Sequence, residues 1–226
     1  MTGFIFTSAY VGGSYAGFGG IARIKTYSSA TVLTVDILQP FDSAGPLSGR
    51  EISLTEPAWS DARGWPSKCS SFQSRSIFAN SSSLPNGIWL STINDYDNFN
   101  DIESDDDDDA ISWYPSSDNV NYIRYIVPYR SLTVHTNTGV FSTPLSFETA
   151  ITPNNFSMTL QDSTPATAIQ PRGIDNQIVI ISGNDVHAML WDGFNNSYTS
   201  TIASVANEHL IDSPHDEAAF VDQARA

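Results

Sequence analysis

Leu132-Thr133-Val134-His135-Thr136-Asn137-Thr138-Gly139-Val140-Phe141 reads as one complete β-hairpin. Leu132 to Thr136 is rich in strand-forming residues. Asn137-Thr138-Gly139 is then a three-residue loop of the kind that ends in a left-handed glycine, after which Val140 and Phe141 resume an extended run. Tyr122 to Val127 supplies a strand just before it. Gln177 to Ser182 and Val186 to Trp191 flank Gly183-Asn184-Asp185 in the same manner, with Val186, Ala188 and Leu190 alternating against His187, Met189 and Trp191. Repeated antiparallel sheets of this size predict propeller blades. Ser200 to Leu210 is the one helical pattern, with Ile202, Val205, His209 and Leu210 near one face and Pro214 limiting its extension.

Towards the amino terminus, Ile21 to Ile24 and Thr31 to Leu38 form a further hairpin around Ser28-Ser29. Gly12-Gly13, Gly17 and Gly19-Gly20 precede it, and Gly45-Pro46 and Gly49 follow. A small β-barrel bounded by flexible loops is the expectation, ending near Glu56 or Pro57. The chain therefore reads as all-β, with a barrel-like module over residues 1–56, propeller-type sheets over residues 57–226 and one short C-terminal helix.

Composition agrees, since only 15% of the 226 residues are charged while 12% are aromatic, the balance of a turn-rich β protein. A net charge of −15 argues against a surface that grips phosphates. The single Cys69 excludes an intrachain disulfide or a multi-cysteine zinc site and is expected as a reduced, buried thiol. Met1 to Phe6 lacks the basic and apolar regions of a secretory signal, and no run of apolar residues is long enough to span a bilayer as a helix, so synthesis and assembly in the cytoplasm are expected.

Between Gly64 and Ile111 the residue choices become idiosyncratic. They read Gly64-Trp65-Pro66, Ser71-Phe72-Gln73-Ser74-Arg75-Ser76-Ile77-Phe78-Ala79, Leu84-Pro85-Asn86-Gly87-Ile88-Trp89-Leu90-Ser91 and Asn94-Asp95-Tyr96-Asp97-Asn98-Phe99, then an acidic run into Ala110-Ile111. In this order they resemble the tail nozzle family of short-tailed bacteriophages, the tail tubular protein B type. Asn121 to Pro128 followed by Leu132 to Gly139 is similar to that family's strand and L-x-V-x-T-x-x-G hairpin. Asn196 to Ser200 with Ala206 to Leu210 is similar to its closing signature, with Thr201-Ile202-Ala203 standing where Asp-Leu-Thr is usual. The resemblance covers residues 60 to 211. The first module is similar in strand pattern to the small barrel of ubiquitin-activating enzymes, the first catalytic cysteine half-domain, without implying that chemistry.

The resemblance implies a structural virion protein in the phage tail: a homo-oligomeric ring, hexameric in the family, that sits below the tail adaptor protein, carries tail fibres or spikes and passes DNA without specific binding. Family members are longer at both ends. A receptor- or carbohydrate-binding tail module is the alternative, followed by a polysaccharide-degrading tailspike fragment, whose β-helical repeat this sequence does not show.

Chemical constellations are weak beside this. Asp105, Asp107 and Asp109 match the first positions of a calcium loop, but Ala110 replaces its turn glycine and Ser116 its bidentate glutamate, so a solvated acidic loop is expected. Cys69 with His135, His187 or His209 matches no cysteine-hydrolase pattern, and the four histidines lack metal-ligand spacing. Asp95 with Asp97, or Asp101 with Glu103, could supply a glycosidase pair only if held across a groove. Trp59, Trp65, Trp89, Trp113 and Trp191 read as strand-packing residues, and Trp65, Phe72, Phe78, Trp89, Tyr96 and Phe99 are expected to form one packed cluster. No catalytic, cofactor-binding or metal residue is assigned, and no cofactor is implied.

Overall fold

The computed structural model describes residues 5–42, 52–100, 106–115, 121–143, 149–183, 185–195 and 197–206. The chain divides into two compact units, Met1–Trp65 and Pro66–Ala226. All sixteen strands of the described residues belong to four antiparallel sheets of four strands each, and the only helical elements among them are two short 3-10 turns.

In the first unit, β1 (Ser14–Gly17), β2 (Gly20–Ser29), β3 (Val32–Gln39) and β4 (Ile52–Thr55) form one sheet in the order β3-β2-β1-β4. Gly17 pairs with Gly20, and Phe18 and Gly19 between them both take positive φ, 51° and 68°, as a tight two-residue hairpin turn requires. Ile21, Ala22 and Ile24 on β2 are its buried apolar residues. The expected barrel is corrected to an open sheet, because β3 and β4 end it as edges and do not pair with each other. Closing a barrel takes strand tilt and register shear that four strands of such unequal length do not supply. Gly45, Pro46 and Gly49 lie outside the described residues.

The second unit is a run of three meanders, each pairing its strands in chain order. They are β5 (Lys68–Phe72), β6 (Arg75–Ala79), β7 (Ile88–Leu90) and β8 (Ile111–Trp113); β9 (Ile123–Pro128), β10 (Leu132–Thr136), β11 (Val140–Ser142) and β12 (Thr159–Asp162); and β13 (Arg172–Ile174), β14 (Gln177–Ser182), β15 (Asp185–Asp192) and β16 (Ser197–Ile202). A four-stranded up-and-down sheet repeated along the chain is the blade of a propeller.

Consecutive blades bury one face each against the next. Ile77, Ala79, Ile88, Leu90 and Ile111 of the first meet Ile123, Ile126, Leu132 and Val134 of the second, with Ile151 and Phe156 closing the seam. Val140 of the second blade meets Ile178, Ile180, Met189, Trp191 and Tyr198 of the third, and Tyr129 packs against them. Burial at about 25 cal/mol per Å² of apolar surface makes these two seams the main source of stability in the unit.

The C-terminal helix is corrected in its first part. Ser197–Ile202 pairs antiparallel with β15 over six residue pairs, and only Ala203–Ala206 forms a 3-10 turn; residues 207–210 lie outside the described set. Tyr198, Thr199, Thr201 and Ile202 are strand formers, and a ready partner edge outweighs a weak helical periodicity.

Candidate functional site

The idiosyncratic run is built around a corner of the first blade. Gln73 and Ser74 form the two-residue turn between β5 and β6, both at positive φ (47° and 58°), where glycine or asparagine is the usual choice. Gln73 has a further task there. Its Oε1 accepts from Ile151 N at 2.8 Å and its Nε2 donates to Thr149 O at 3.0 Å, tying the turn to the segment that follows the second blade's β11.

Next to it, Arg75 is fully buried. Its Nη1 donates to the carbonyls of Ser91 and Asp109, both at 2.6 Å, and its Nη2 to those of Asp107 at 3.0 Å and Ile151 at 3.2 Å. A guanidinium presents fixed planar donors, so four carbonyl oxygens from three separate segments converge on one group. Burial pulls the Arg75 pKa down, and the charges of Asp108 and Asp109 push back. The acidic loop is thereby held by its backbone while Asp106, Asp107 and Asp108 stay exposed. Ser91 completes the corner, its Oγ accepting from Ser76 N at 2.9 Å.

The Leu132 to Gly139 hairpin is equally explicit. Leu132 and Val134 enter the first seam, and Thr136 Oγ1 accepts from Thr138 N and Gly139 N while donating to Gly139 O at 2.8 Å. Gly139 does not take the left-handed conformation expected of it. Glycine is needed for space, since a Cβ would meet Asp162 O at 2.5 Å and Leu160 Cδ1 at 3.0 Å.

On the other face of β10, Thr133 and His135 are fully buried towards the third blade. Thr133 Oγ1 donates to Val127 O at 2.8 Å, so it accepts from His135 Nε2 at 3.2 Å, which fixes the proton on Nε2. His135 Nδ1 and Ser142 Oγ find no hydrogen-bond partner among the described residues. Burial lowers the His135 pKa from 6.5 to about 3. At the far end of this seam, burial raises the Asp162 carboxyl. Hydrogen bonds from Ser200 and Thr164 and the nearby His187 outweigh that effect and hold it below its ordinary value. His187 Nδ1 lies 3.4 Å from Thr164 Oγ1.

The residues weighed as chemistry are dispersed. Cys69 is exposed on the outward face of β5, not buried as expected, because it alternates with Lys68, Ser70 and Phe72 on a strand that closes one side of the blade. His135 lies in the second seam, with the first seam between it and Cys69; His209, Asp101, Glu103, Asp105 and Ser116 fall outside the described residues. Asp95 and Asp97 are exposed in a turn.

Of the expected aromatic cluster, Trp89 is buried with its Nε1 3.1 Å from Tyr114 Oη, Phe78 stacks on Phe99, and Phe72 packs on the first seam. Trp65 and Tyr96 are the correction, 62% and 52% exposed, since Trp65 sits in the irregular segment before β5 and Tyr96 in a turn. Trp113 packs edge-on against Phe156 and Trp191 against Tyr198, while Trp59 is half-buried. A cavity of about 20 Å³ between the first two blades, lined by Ile88, Trp113, Val134 and Phe141 among others, has room for one water and not for a sugar ring.

Among the described residues no group of three or more His, Cys, Asp or Glu side chains could hold a metal ion, and no helix is long and apolar enough to cross a membrane. No protein-family model matches the chain, and no curated protein is significantly similar to it.

Proposed function

We propose that the chain is a structural component of a bacteriophage tail, a nozzle protein that forms part of the DNA exit channel and a platform for fibres or spikes. One observation carries the reading: three successive four-stranded blades, with described residues of the first two segments that resemble the nozzle family lying at their turns and seams. Gln73, Arg75, Trp89, Thr136 and Gly139 each have a specific structural task at such a place. Residue choices made for rigidity suit a part that must keep its shape while DNA moves past.

The charge balance supports the same reading. Each lysine or arginine contact to phosphate adds salt-dependent affinity at which a passing genome could stall, and a net charge of −15 disfavours such contacts. The test is electron microscopy of the purified chain and of chain mixed with adaptor. Sixfold rings with an acidic lumen are the expected result; a chain that stays unassembled in both, or a ring with a basic lumen, overturns it.

The second reading, a receptor- or glycan-binding tail module, is favoured by Phe194, which is 95% exposed at the tip between β15 and β16, and by exposed Trp65 and Tyr96. Binding to host surface glycans that Phe194→Ala abolishes, with melting unchanged, would select it over the nozzle.

A further inference from the structure

Among the described residues β3 is an edge strand, and its protection is confined to Asp36 and a bulge at Leu38, where its register with β2 shifts. It has no lysine, proline or glycine over Val32–Gln39, and Val32, Ile37 and Leu38 are 52%, 62% and 51% exposed. Natural edges carry such gatekeepers because their free backbone N–H and C=O groups template pairing with another strand. Its single charge, Asp36, is already matched by Lys25 Nζ of the neighbouring strand at 3.2 Å.

Its residue order adds a second observation. Val35 and Ile37 pair with the buried Ile24 and Ala22 of β2, so Leu33, Val35 and Ile37 lie on one face of the strand and Thr34 and Asp36 on the other. Turned antiparallel about Val35, this strand is complementary to itself. Leu33 would face Ile37, Val35 would face Val35, and Thr34 would face Asp36. The two Asp36 carboxylates fall on a diagonal, each beside its own Lys25. Arg23, the residue of β2 opposite Asp36, adds a second positive charge beside each carboxylate.

We infer that β3 pairs with β3 of a second copy of this chain about a two-fold axis at Val35, joining two four-stranded sheets into one of eight. The chain carries a net charge of −15, but residues 1–65 hold five acidic and four basic residues, so this unit is where two copies can approach with least repulsion. The pairing also continues the apolar row Leu33, Val35, Ile37 across both copies and shields Ile37, which a single sheet leaves in water. The contact is isologous, so it joins copies in pairs and does not depend on the nozzle reading.

Sedimentation of the full chain across ~1–100 μM tests it, a span around typical weak association constants. The wild type is expected to be a reversible dimer. Ile37→Lys adds the missing gatekeeper at an exposed position and should raise the dimer Kd at least about tenfold with circular dichroism and melting unchanged. In a Cys69→Ser background, Val35→Cys should form a disulfide-linked dimer on mild oxidation, because directly opposed residues of antiparallel strands lie ~4.5–5.5 Å apart at Cα, within disulfide range. Thr34→Cys, opposite Asp36 in this register, should cross-link far more slowly. A monomeric wild type, a dimer that survives Ile37→Lys, or equal cross-linking at both positions overturns the inference. Sixfold rings that still form from Ile37→Lys chains while the dimer is lost would support this contact and the nozzle reading separately.

Discussion

The first seam, between blades one and two, is wide and apolar, and a single charged group, Arg75, locks its corner by gathering carbonyls from both sides. The second, between blades two and three, has a smaller apolar cluster and leaves neutral polar groups, Thr133, His135, Ser142 and Tyr198, at its centre. Both are interfaces between sheets of the same size and connectivity. They differ in what water would do to them. Each group leaves one buried nitrogen without a partner among the described residues, Arg75 Nε and His135 Nδ1, but acid leaves the guanidinium in its charged form with its four acceptors, whereas a buried imidazole is stable only while neutral. The two seams thus differ in the group that acid would newly charge, which in the second is a buried neutral imidazole.

The sharpest way to break the comparison is Arg75→Ala, which leaves four carbonyls without their donor and a void behind them. It should cost roughly 3–5 kcal/mol by chemical denaturation. Arg75→Lys should recover only part of that, since a lysine cannot present two planar pairs of donors. A loss below about 1 kcal/mol for Arg75→Ala would mean that the seam holds without its lock.

Next in size is acid. The His135 pKa is depressed when folded, from 6.5 to about 3, so its contribution is intact above pH 6.5 and is lost as pH falls through that window. A tenfold difference in proton affinity between the folded and unfolded chain corresponds to about 1.4 kcal/mol, so the loss near pH ~4.5 should be about 2–3 kcal/mol. Hydrogen exchange should show β13 to β16 losing protection before β5 to β8. His135→Gln should flatten the pH dependence, and an unchanged acid profile in that variant would assign the sensitivity elsewhere.

Gly139→Ala should cost about 1–3 kcal/mol, because its Cβ would meet the backbone carbonyl of Asp162 and that strand must shift. Gln73→Ala is the mildest test, about 1–2 kcal/mol for two lost hydrogen bonds across the first seam. If Gln73→Ala proves as costly as Arg75→Ala, the turn and not the guanidinium is the lock.

Much of the fold is legible in the sequence because blades are local objects. Leu132 to Thr136 and Gln177 to Ser182 read as strands to the residue, since β-branched alternation bounded by turn residues is a short-range signal. The seams are not legible. Arg75 stands in the sequence as one member of the idiosyncratic run until Ser91, Asp107, Asp109 and Ile151 are brought around it, and no spacing announces that. A solvated reading of the acidic run fits the exposed side chains of Asp106, Asp107 and Asp108 and misses the tethered backbone of Asp107 and Asp109. The Gln73-Ser74 turn defies its usual composition because the glutamine side chain is needed across the seam. Gly139 is the residue type its position demands, but the demand is for an absent Cβ and not for a backbone angle. Ser200 to Ile202 departs from its helical pattern because an edge partner, which the local pattern does not contain, decides its form.

The reach of Arg75 also sets a clock. Most neighbouring strands of a blade lie within a few residues of each other along the chain, whereas the guanidinium must wait for Ile151, 76 residues further along. Loops of that length close late, because their entropy is spent before their contacts return it. Until then Arg75 lacks one of its four acceptors. The last carbonyl to arrive ends that interval, so the bond that makes the corner rigid also marks when two blades have become one body.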